Sequence, residues 1–510
     1  MTTSPSSPAS ARRKRSTVLP LHWCSVPFGR KPTGTDLRGW ITANYCARAL
    51  RAMGYSVVCE PRCEIWSADT EVLLAELDQP MASAPSTTDP STESSTALHN
   101  VVIPSASVEP TQRPAGKYLR RLFHGDVQTR MHWEHLWSRW KDETQAIFCA
   151  YNLSLSIEAD ALAHSHATVQ SRLEQLPDVF QHESKLILDM TTHGLGRMVL
   201  RDSANDIDDA ASFQFAADVA QLLDQQSKAS RRVHLCEHSK EYYWKQCAKA
   251  ADLFSKYHKS TTLAPLARTL NDAVAAAPST PRALPSHVAF ASLAQFDHPT
   301  TAADGLFGCL ERASKHMFGI CMDRTYDDID ATNSGRESDS VRDAVGGLSQ
   351  ISRLSESLGL SVIVMQILSF KRSRSVKFEW TELLDHDGSS GVYCQYTHAR
   401  LCGIERYCGV AVDLDADLEP LAQSPEALAL ALLLAQYPKI FIQGIFNMEA
   451  SSLAAFLVNV ASQVSSCNYG MRIKGQTQAV AQARLRVLGA AKAVLRHGLE
   501  VLGLDAVVEM

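Results

Sequence analysis

The chain lacks several features that settle a protein's class early. Its 13 cysteines are an odd number, scattered over 510 residues with no CxxC pair. That argues against a disulfide framework and for a reducing compartment, so a cytoplasmic location is expected. Basic charge is not in excess: 50 Lys and Arg stand against 55 Asp and Glu, a formal net charge of −5. A protein that coats nucleic acid through overall charge is basic, so a nucleic-acid site here has to be a local patch. The longest apolar run, Ala427 to Ala435, is far below the roughly 20 residues a membrane helix needs, and no apolar segment follows the N-terminus as in a secretory signal. No membrane is therefore expected. There is no GxxxxGK[ST] phosphate loop, no GxSxG elbow and no HExxH pair, and no nucleophile can be read from spacing alone.

What is present describes a folded protein. Hydrophobic residues make up 45% and charged residues 21%, enough to bury a core, and the length suits about three domains. Residues 1–16 read as a solvated tail with a basic run, Arg12 to Arg15, for which a nuclear address or an RNA-touching tail is the alternative. From residue 17 a buried strand (Val18 to Val26), a Gly/Pro turn (Gly29 to Gly34), a helix (Asp36 to Met53) and a second strand (Tyr55 to Cys59) make a βαβ unit. In the helix Leu37, Ile41, Tyr45 and Ala49 recur at helical spacing, and Gly54 closes it. Such a unit implies a parallel sheet with its site at the carboxyl ends of the strands.

Residues 80–116 are rich in Ser, Thr and Pro and read as a disordered insertion; 258–305 reads as a linker-like insertion. Between them Trp133, Leu136, Trp137 and Trp140 form a helical stripe, either a core face or a base-stacking platform, with the core favoured. Strands return at Lys185 to Met190, Arg197 to Arg201 and Arg232 to Cys236, with helices near 213–226 and 240–257. The set His234, Cys236 and His238, and the pair His164 and His166, have too few ligands for zinc, so no metal is expected. From about 340 helical periodicity dominates. Ser424-Pro425 starts one helix, and the last, about 476–502, carries Arg484, Arg486, Lys492 and Arg496 on its polar side. With Arg472 and Lys474 this is the one sizeable basic cluster: a solvated face or an RNA footprint.

Gly391-Val392-Tyr393-Cys394-Gln395-Tyr396-Thr397-His398-Ala399-Arg400-Leu401, preceded by Phe378-Glu379-Trp380, resembles the point where arginyl-tRNA synthetases pass from the catalytic domain to a helical DALR-type domain. Arg484-Leu485 through Gly498-Leu499, Leu502-Gly503-Leu504 and the terminal Met510 resemble the same family. Weaker similarity runs through Leu358 to Ile363, Asp189 to Gly194, Gly196 to Arg201 and Asp36-Leu37-Arg38. The resemblance implies an α/β fold: a Rossmann-like class I synthetase catalytic domain with insertions over 17–370, then an all-α DALR-type tRNA-binding domain over 371–510. It also implies tRNA contacts at Gln395, Tyr396, Arg400, the basic face of the last helix and Met510, with Glu509 where the family usually has Arg. Gln395 and Tyr396 have packing as the alternative role.

Departures from the family pattern shape the functional expectation. The HIGH-type signature falls on Thr33-Gly34-Thr35-Asp36-Leu37-Arg38, with neither His; the nearest KMSKS-type stretch is Cys321 to Asp328, with three carboxylates; and Ile65-Trp66 replaces a DW pair. In the family a Tyr-x-x-x-Asp pair meets the substrate guanidinium; here Gln214 stands for the Tyr and Asp218 keeps the carboxylate. A buried carboxylate facing a guanidinium is a strong contact, and one without a cation is costly, so Asp218 is expected to receive an arginyl group. A solvated helix residue is the alternative. The combined expectation is a protein with no ATP requirement that takes arginyl-tRNA and a second aminoacyl-tRNA and forms cyclo(Arg-Xaa), resembling the fungal arginine-containing cyclodipeptide synthases. Cys24 and Ser25 are weak candidates for an acyl carrier. The alternatives are a non-catalytic partner that binds arginine tRNA and a divergent active arginyl-tRNA synthetase.

Overall fold

A computed structural model describes residues 18–28, 31–64, 66–77, 117–155, 166–202, 209–228, 233–258, 287–294, 305–332, 341–377, 391–422, 424–467 and 470–510. The basic run Arg12–Arg15, the 80–116 insertion, Ile65, His164 and Phe378–Trp380 lie outside them.

The chain opens with β1 (Val18–Pro27), α1 (Gly34–Ala52), β2 (Ser56–Glu64) and α2 (Ala68–Leu77). There follow α3 (Lys117–Phe123), α4 (Val127–Ala150), α5 (His166–Leu173), β3 (Val179–His182), β4 (Lys185–Asp189) and β5 (Arg197–Asp202). Next come α6 (Asp209–Lys228), β6 (Val233–Glu237), α7 (Glu241–His258), β7 (His287–Phe290) and β8 (Leu293–Ala294). Among the described residues the regular elements that follow are helices apart from β9 (Val376–Lys377): α8 (Gly305–Thr332), α9 (Val341–Ser369), α10 (Gly391–Tyr407), α11 (Pro425–Leu434), α12 (Tyr437–Asn447), α13 (Ser451–Cys467) and α14 (Gln478–Leu502).

Four strands form a parallel sheet in the order β2-β1-β6-β7. The chain leaves β1 toward β2 on one side and returns to β6 on the other, so the switch point falls between β1 and β6, at their carboxyl ends. Two of the strands read from the sequence lie apart from this sheet. Lys185–Asp189 and Arg197–Asp202 do not extend the parallel sheet but pair antiparallel with β3 in a separate three-stranded sheet. Conversely, β7 lies inside the stretch 258–305 expected to be a linker, and it is an edge of the central sheet, with Val288 fully buried. A four-residue strand between Pro-rich segments carries too little period-2 pattern to stand out.

The helix α1 begins because Thr33 and Asp36 cap it reciprocally: the Asp36 carboxylate accepts from the Thr33 backbone N–H (2.8 Å), and the Thr33 hydroxyl accepts from the Asp36 N–H (3.3 Å). The helix is buried almost all round, because the sheet lies on one side and the C-terminal helices on the other. Arg48 reaches the Glu500 carbonyl in α14 (3.2 Å), and Gly503, at φ 95°, caps α14 where a Cβ would meet Asn44 at 2.6 Å. One core therefore runs from the sheet into the helical half. A second core lies under the antiparallel sheet, closed by α5, α6 and α7.

The tryptophan stripe belongs to the first core. Trp133 and Trp140 are buried, and all three Trp rings gather around Phe28 at centroid distances of 5.6–6.3 Å. Among the described residues two stretches are long and apolar enough to cross a membrane, which single-run counting missed. Leu348–Ser369 is a packed helix, 61% buried, whereas Pro425–Asn447, across α11 and α12, is only 17% buried.

Candidate functional site

The first candidate centre lies on the second core. Asp218 sits on α6 with its residue 2% exposed. One carboxylate oxygen accepts from the Gln214 side-chain amide (3.0 Å), one turn earlier, and the other accepts from the Tyr243 hydroxyl (2.6 Å) on α7. The Gln214 carbonyl in turn accepts the Trp66 backbone N–H (3.2 Å), just past β2. Asp218 and Gln214 are thus brought together as the sequence anticipated. Asp218 is not a solvated helix residue. The expectation that its burial demands an incoming cation is corrected, because an amide and a phenol of the chain itself hydrogen-bond it. Tyr243 was missed. The phenol that seemed lost when Gln214 replaced a Tyr comes instead from a helix 25 residues on, and only the phase of α7 separates it from exposed Tyr242 and buried Trp244.

The wall behind α7 is the loop after β4. Gln246 donates to the Leu195 carbonyl (2.8 Å), and a Cβ on Gly196 (φ 64°) would meet the Tyr242 hydroxyl at 2.9 Å. The stretch Asp189–Gly196, singled out on sequence, therefore supports the helix that carries Tyr243.

At the switch point the helix α1 presents the Thr33–Asp36 capping box, and Arg38 turns inward. Its guanidinium donates to the carbonyls of Ala291 (2.9 Å), Ser292 (3.0 Å), Arg374 (2.8 Å) and Lys371 (3.1 Å). Burial lowers its pKa to about 10, offset in part by Glu449, so it stays cationic at neutral pH. Arg38 ties the exit of β7 and the approach to β9 to α1. The Cys321–Asp328 stretch, expected as a signature loop, lies inside the helix α8. It forms no loop over a nucleotide, and its carboxylates carry no argument against one. Cys24 and Ser25 sit in β1 at the register break between Trp23 and Val26; their side chains lie outside the described ones.

Of the zinc-like set, His234 and Cys236 are buried in β6, and His234 stacks on Trp244. His238 is past the strand, exposed beside Glu241. No group of three metal-type side chains occurs among the described residues.

The second candidate centre is the tail folded onto α10. Gly391 starts that helix where a Cβ would strike the Ser361 carbonyl at 2.5 Å, so α9 and α10 cross closely. Gln395, fully buried, donates to the Asp505 carbonyl (2.9 Å) and Ser361 hydroxyl (3.0 Å) and accepts from the Val507 N–H (2.8 Å). His398 Nδ1 lies 2.7 Å from the Val507 carbonyl, which requires the proton on that nitrogen. Arg406 pairs with Glu509 (2.9 Å). Gln395 is therefore a clamp for the tail, not an exposed RNA contact. Tyr396, Arg400 and Tyr407 share a face of α10 at spacings of four and seven; Tyr396, Tyr407 and Met510 are exposed.

The basic face of α14 is less available than its sequence suggests. Lys492 is paired with Glu405 and Arg496 with Glu500 (2.9 Å). Arg484 and Arg486 donate to the carbonyls of Arg472 and Ala416. A one-dimensional pattern shows the cations and not the carboxylates and carbonyls that meet them.

These features, a four-stranded parallel sheet with an interior α1 and a helical C-terminal half, define a class I synthetase-like fold. The chain superimposes on the arginyl-tRNA synthetase of Plasmodium falciparum with a TM-score of 0.67 at 14% identity, over 98% of this chain and 78% of that one. The Thermus thermophilus arginyl-tRNA synthetase gives 0.65 at 17%, over 99% and 84%. Residues 394–510 match the DALR anticodon binding domain. In sequence the chain is 38% identical over 152 residues to a probable cytoplasmic arginine–tRNA ligase of Dictyostelium discoideum, and 36% identical over 156 residues to the cytoplasmic arginine–tRNA ligase of Saccharomyces cerevisiae. Each match covers 30% of this chain and 26% of the relative, so the chain spans about a quarter of the length of the curated relatives it matches. The chain is thus similar to arginyl-tRNA synthetases in fold over almost its whole length and in sequence over about 30% of it, and its residues 394–510 match a DALR anticodon binding domain.

Two expectations are overturned. Nothing in these comparisons points to cyclodipeptide synthases: the relatives are arginine–tRNA ligases, so the assignment to cyclo(Arg-Xaa) formation is withdrawn. Those ligases use ATP, which conflicts with the expectation of no ATP requirement. The physical reason for the error is plain in part: one of its supports, the acidic stretch 321–328, is helix and not a nucleotide loop.

Proposed function

We propose that the chain is a divergent arginyl-tRNA synthetase, joining arginine to tRNA at the expense of ATP, in the cytoplasm. The observation that carries this reading is the buried Asp218 carboxylate, flanked by Gln214 and Tyr243, in a fold shared with arginyl-tRNA synthetases. A carboxylate offers about four acceptor positions, so one already bonded to an amide and a phenol still has lone pairs for the two parallel N–H groups of a guanidinium. The neutral donors hold it in one rotamer, which makes it a preorganised acceptor. ATP belongs at the carboxyl ends of β1 and β6, beside the N-terminus of α1.

The tRNA is assigned to the helical half, on the face of α10 that carries Tyr396, Arg400 and Tyr407 and beside the clamped tail with Met510. Aromatic and cationic groups at helical spacing suit unstacked bases and backbone. Arginine-dependent ATP–pyrophosphate exchange, and charging of an arginine tRNA transcript, test the reading. Exchange with arginine and none with lysine is expected. A pure chain that retains the transcript yet shows no exchange overturns it.

A further inference from the structure

The helix α3 carries an exposed cationic surface that neither candidate centre uses. Its seven residues hold Lys117, Arg120 and Arg121 and no acid. Leu119, Leu122 and Phe123 are buried, so the polar side is turned outward. Lys117, Arg121 and, just past the helix, His124 follow at intervals of four and three, and all three are exposed. The cations of α14 are met by carboxylates and carbonyls; these are met differently. The Lys117 ammonium lies 5.4 Å and the Arg121 guanidinium 5.8 Å from the centroid of the Tyr118 ring. A ring attracts a cation without cancelling its charge. The carboxylates of Glu71 and Asp126, which adjoin the helix, are committed to caps. Glu71, 2% exposed, accepts from the N–H groups of Tyr118 (3.0 Å) and Leu119 (2.7 Å). Asp126 accepts from the Thr129 N–H (3.0 Å) and hydroxyl (2.7 Å). Among the described residues neither Lys117 nor Arg121 forms an ion pair.

The place of α3 in the fold selects what meets it. Phe123, the last residue of the helix, stacks on Phe213 of α6 (4.1 Å), and Trp66 stands edge-on to both, at 5.3 and 5.9 Å. Trp66 donates its backbone N–H to Gln214, which donates to Asp218. A single layer of rings therefore links α3 to the Asp218 centre. We propose that the outer face of α3 holds the phosphate backbone of an RNA just before its 3′ end, with the end itself at the Asp218 centre. This rests on the synthetase reading above, which brings arginine and the RNA terminus together there. Lys117 and Arg121 supply the charge that phosphates require, and phosphate contacts position an RNA without reading its sequence. The face is some way along the chain and the fold from the α10 surface, so the two hold different parts of one RNA. Residues 117–123 expose no large apolar side chain for insertion into lipid, which favours RNA over an anionic membrane.

Fluorescence anisotropy of a labelled arginine tRNA transcript, titrated with the full chain, tests this. Lys117→Glu with Arg121→Glu is expected to raise the dissociation constant roughly tenfold or more at about 100 mM salt. The neutral pair Lys117→Gln with Arg121→Gln is expected to raise it less and to flatten the logarithmic salt dependence by about 1.4, the value for two phosphate contacts. An isolated anticodon stem-loop is expected to bind the wild type and both variants alike, and thermal melts are expected to coincide, because both side chains are exposed. Transcript binding that neither variant weakens overturns the proposal. So does an equal loss for the stem-loop, which would put the effect in the helical half. Flotation of the wild type with vesicles of anionic lipid, lost in the charge-reversed pair while transcript binding is unchanged, assigns the face to a membrane and overturns it too. Arginine-dependent exchange is measured separately and tests the synthetase reading; with or without exchange, the binding pattern alone decides the α3 face.

Discussion

Arg38 and Asp218 in the α/β half, and Lys492 and Arg496 in the helical half, show two ways of keeping a charge in a folded chain. The first pair is buried and hydrogen-bonded by dipoles: four backbone carbonyls for Arg38, an amide and a phenol for Asp218. The second pair is at the surface, and each cation meets a carboxylate. A charge held by dipoles keeps its sign and is little screened inside the protein. A charge held by a counter-ion in water has little field left. The comparison teaches that a charge seen in the sequence, on a helix face or in a core, says little about a ligand until the groups of the chain that already meet it are known.

The comparison is broken most directly at Asp218. Asp218→Asn keeps the shape and removes the charge, and the KM for arginine in exchange is expected to rise on the order of 10²-fold, with tRNA retention unchanged, since a charged hydrogen-bonded contact is worth about 1.5–3 kcal/mol. Tyr243→Phe, which removes one donor from that carboxylate, is expected to raise it by about tenfold or less. Equal values for wild type and Asp218→Asn would show that arginine binds elsewhere.

The next effect is on stability and belongs to the helical half. Gln395→Ala strips partners from the half-buried Val507 N–H, the Asp505 carbonyl and the buried Ser361 hydroxyl. Urea unfolding should show a loss of about 2–3 kcal/mol, with the tail after Gly503 becoming protease-sensitive. An unchanged midpoint would return Gln395 to the list of RNA contacts.

A smaller effect follows from His398. Burial lowers its pKa below 6.5, and Lys492 and Arg496 act in the same direction, while the Val507 hydrogen bond pulls it up. Below about pH 6.5 the unfolded chain then binds more protons than the folded one, so stability falls as pH drops through that range and is complete above it. Thermal melts at pH 7.5 and 5.5 should separate more for the wild type than for His398→Gln. The smallest effect is expected at Arg496, an exposed i,i+4 partner of Glu500. Arg496→Ala should leave the unfolding midpoint unchanged and change tRNA affinity less than about threefold. A tenfold loss in a filter-binding titration would show that the pair opens for RNA.

Much of this architecture is legible in one dimension, for local reasons. Apolar spacing and a cap mark α1, the Ser424-Pro425 pair marks α11, where the Ser424 hydroxyl accepts from the Ala427 N–H (3.4 Å), and Gly503 marks the end of α14. Local signals failed where pairing is long-range. Nothing in Lys185–Asp189 says whether its neighbours run parallel or antiparallel, and β7 is a short strand inside Pro-rich sequence.

The sequence by itself determined the α/β-then-helical order, the caps that start and stop the main helices, and the pairing of Gln214 with Asp218 one helical turn apart. Those depend on contacts a few residues long, where periodicity and capping chemistry act. Only the tertiary structure decided that Tyr243 completes the carboxylate site, that Gln395 grips the tail, and that the cations of α14 are already answered. Apart from the Arg496–Glu500 pair within α14, each of these joins residues 12 to 112 positions apart, and such contacts are set by how whole elements pack, which no short stretch of chain encodes.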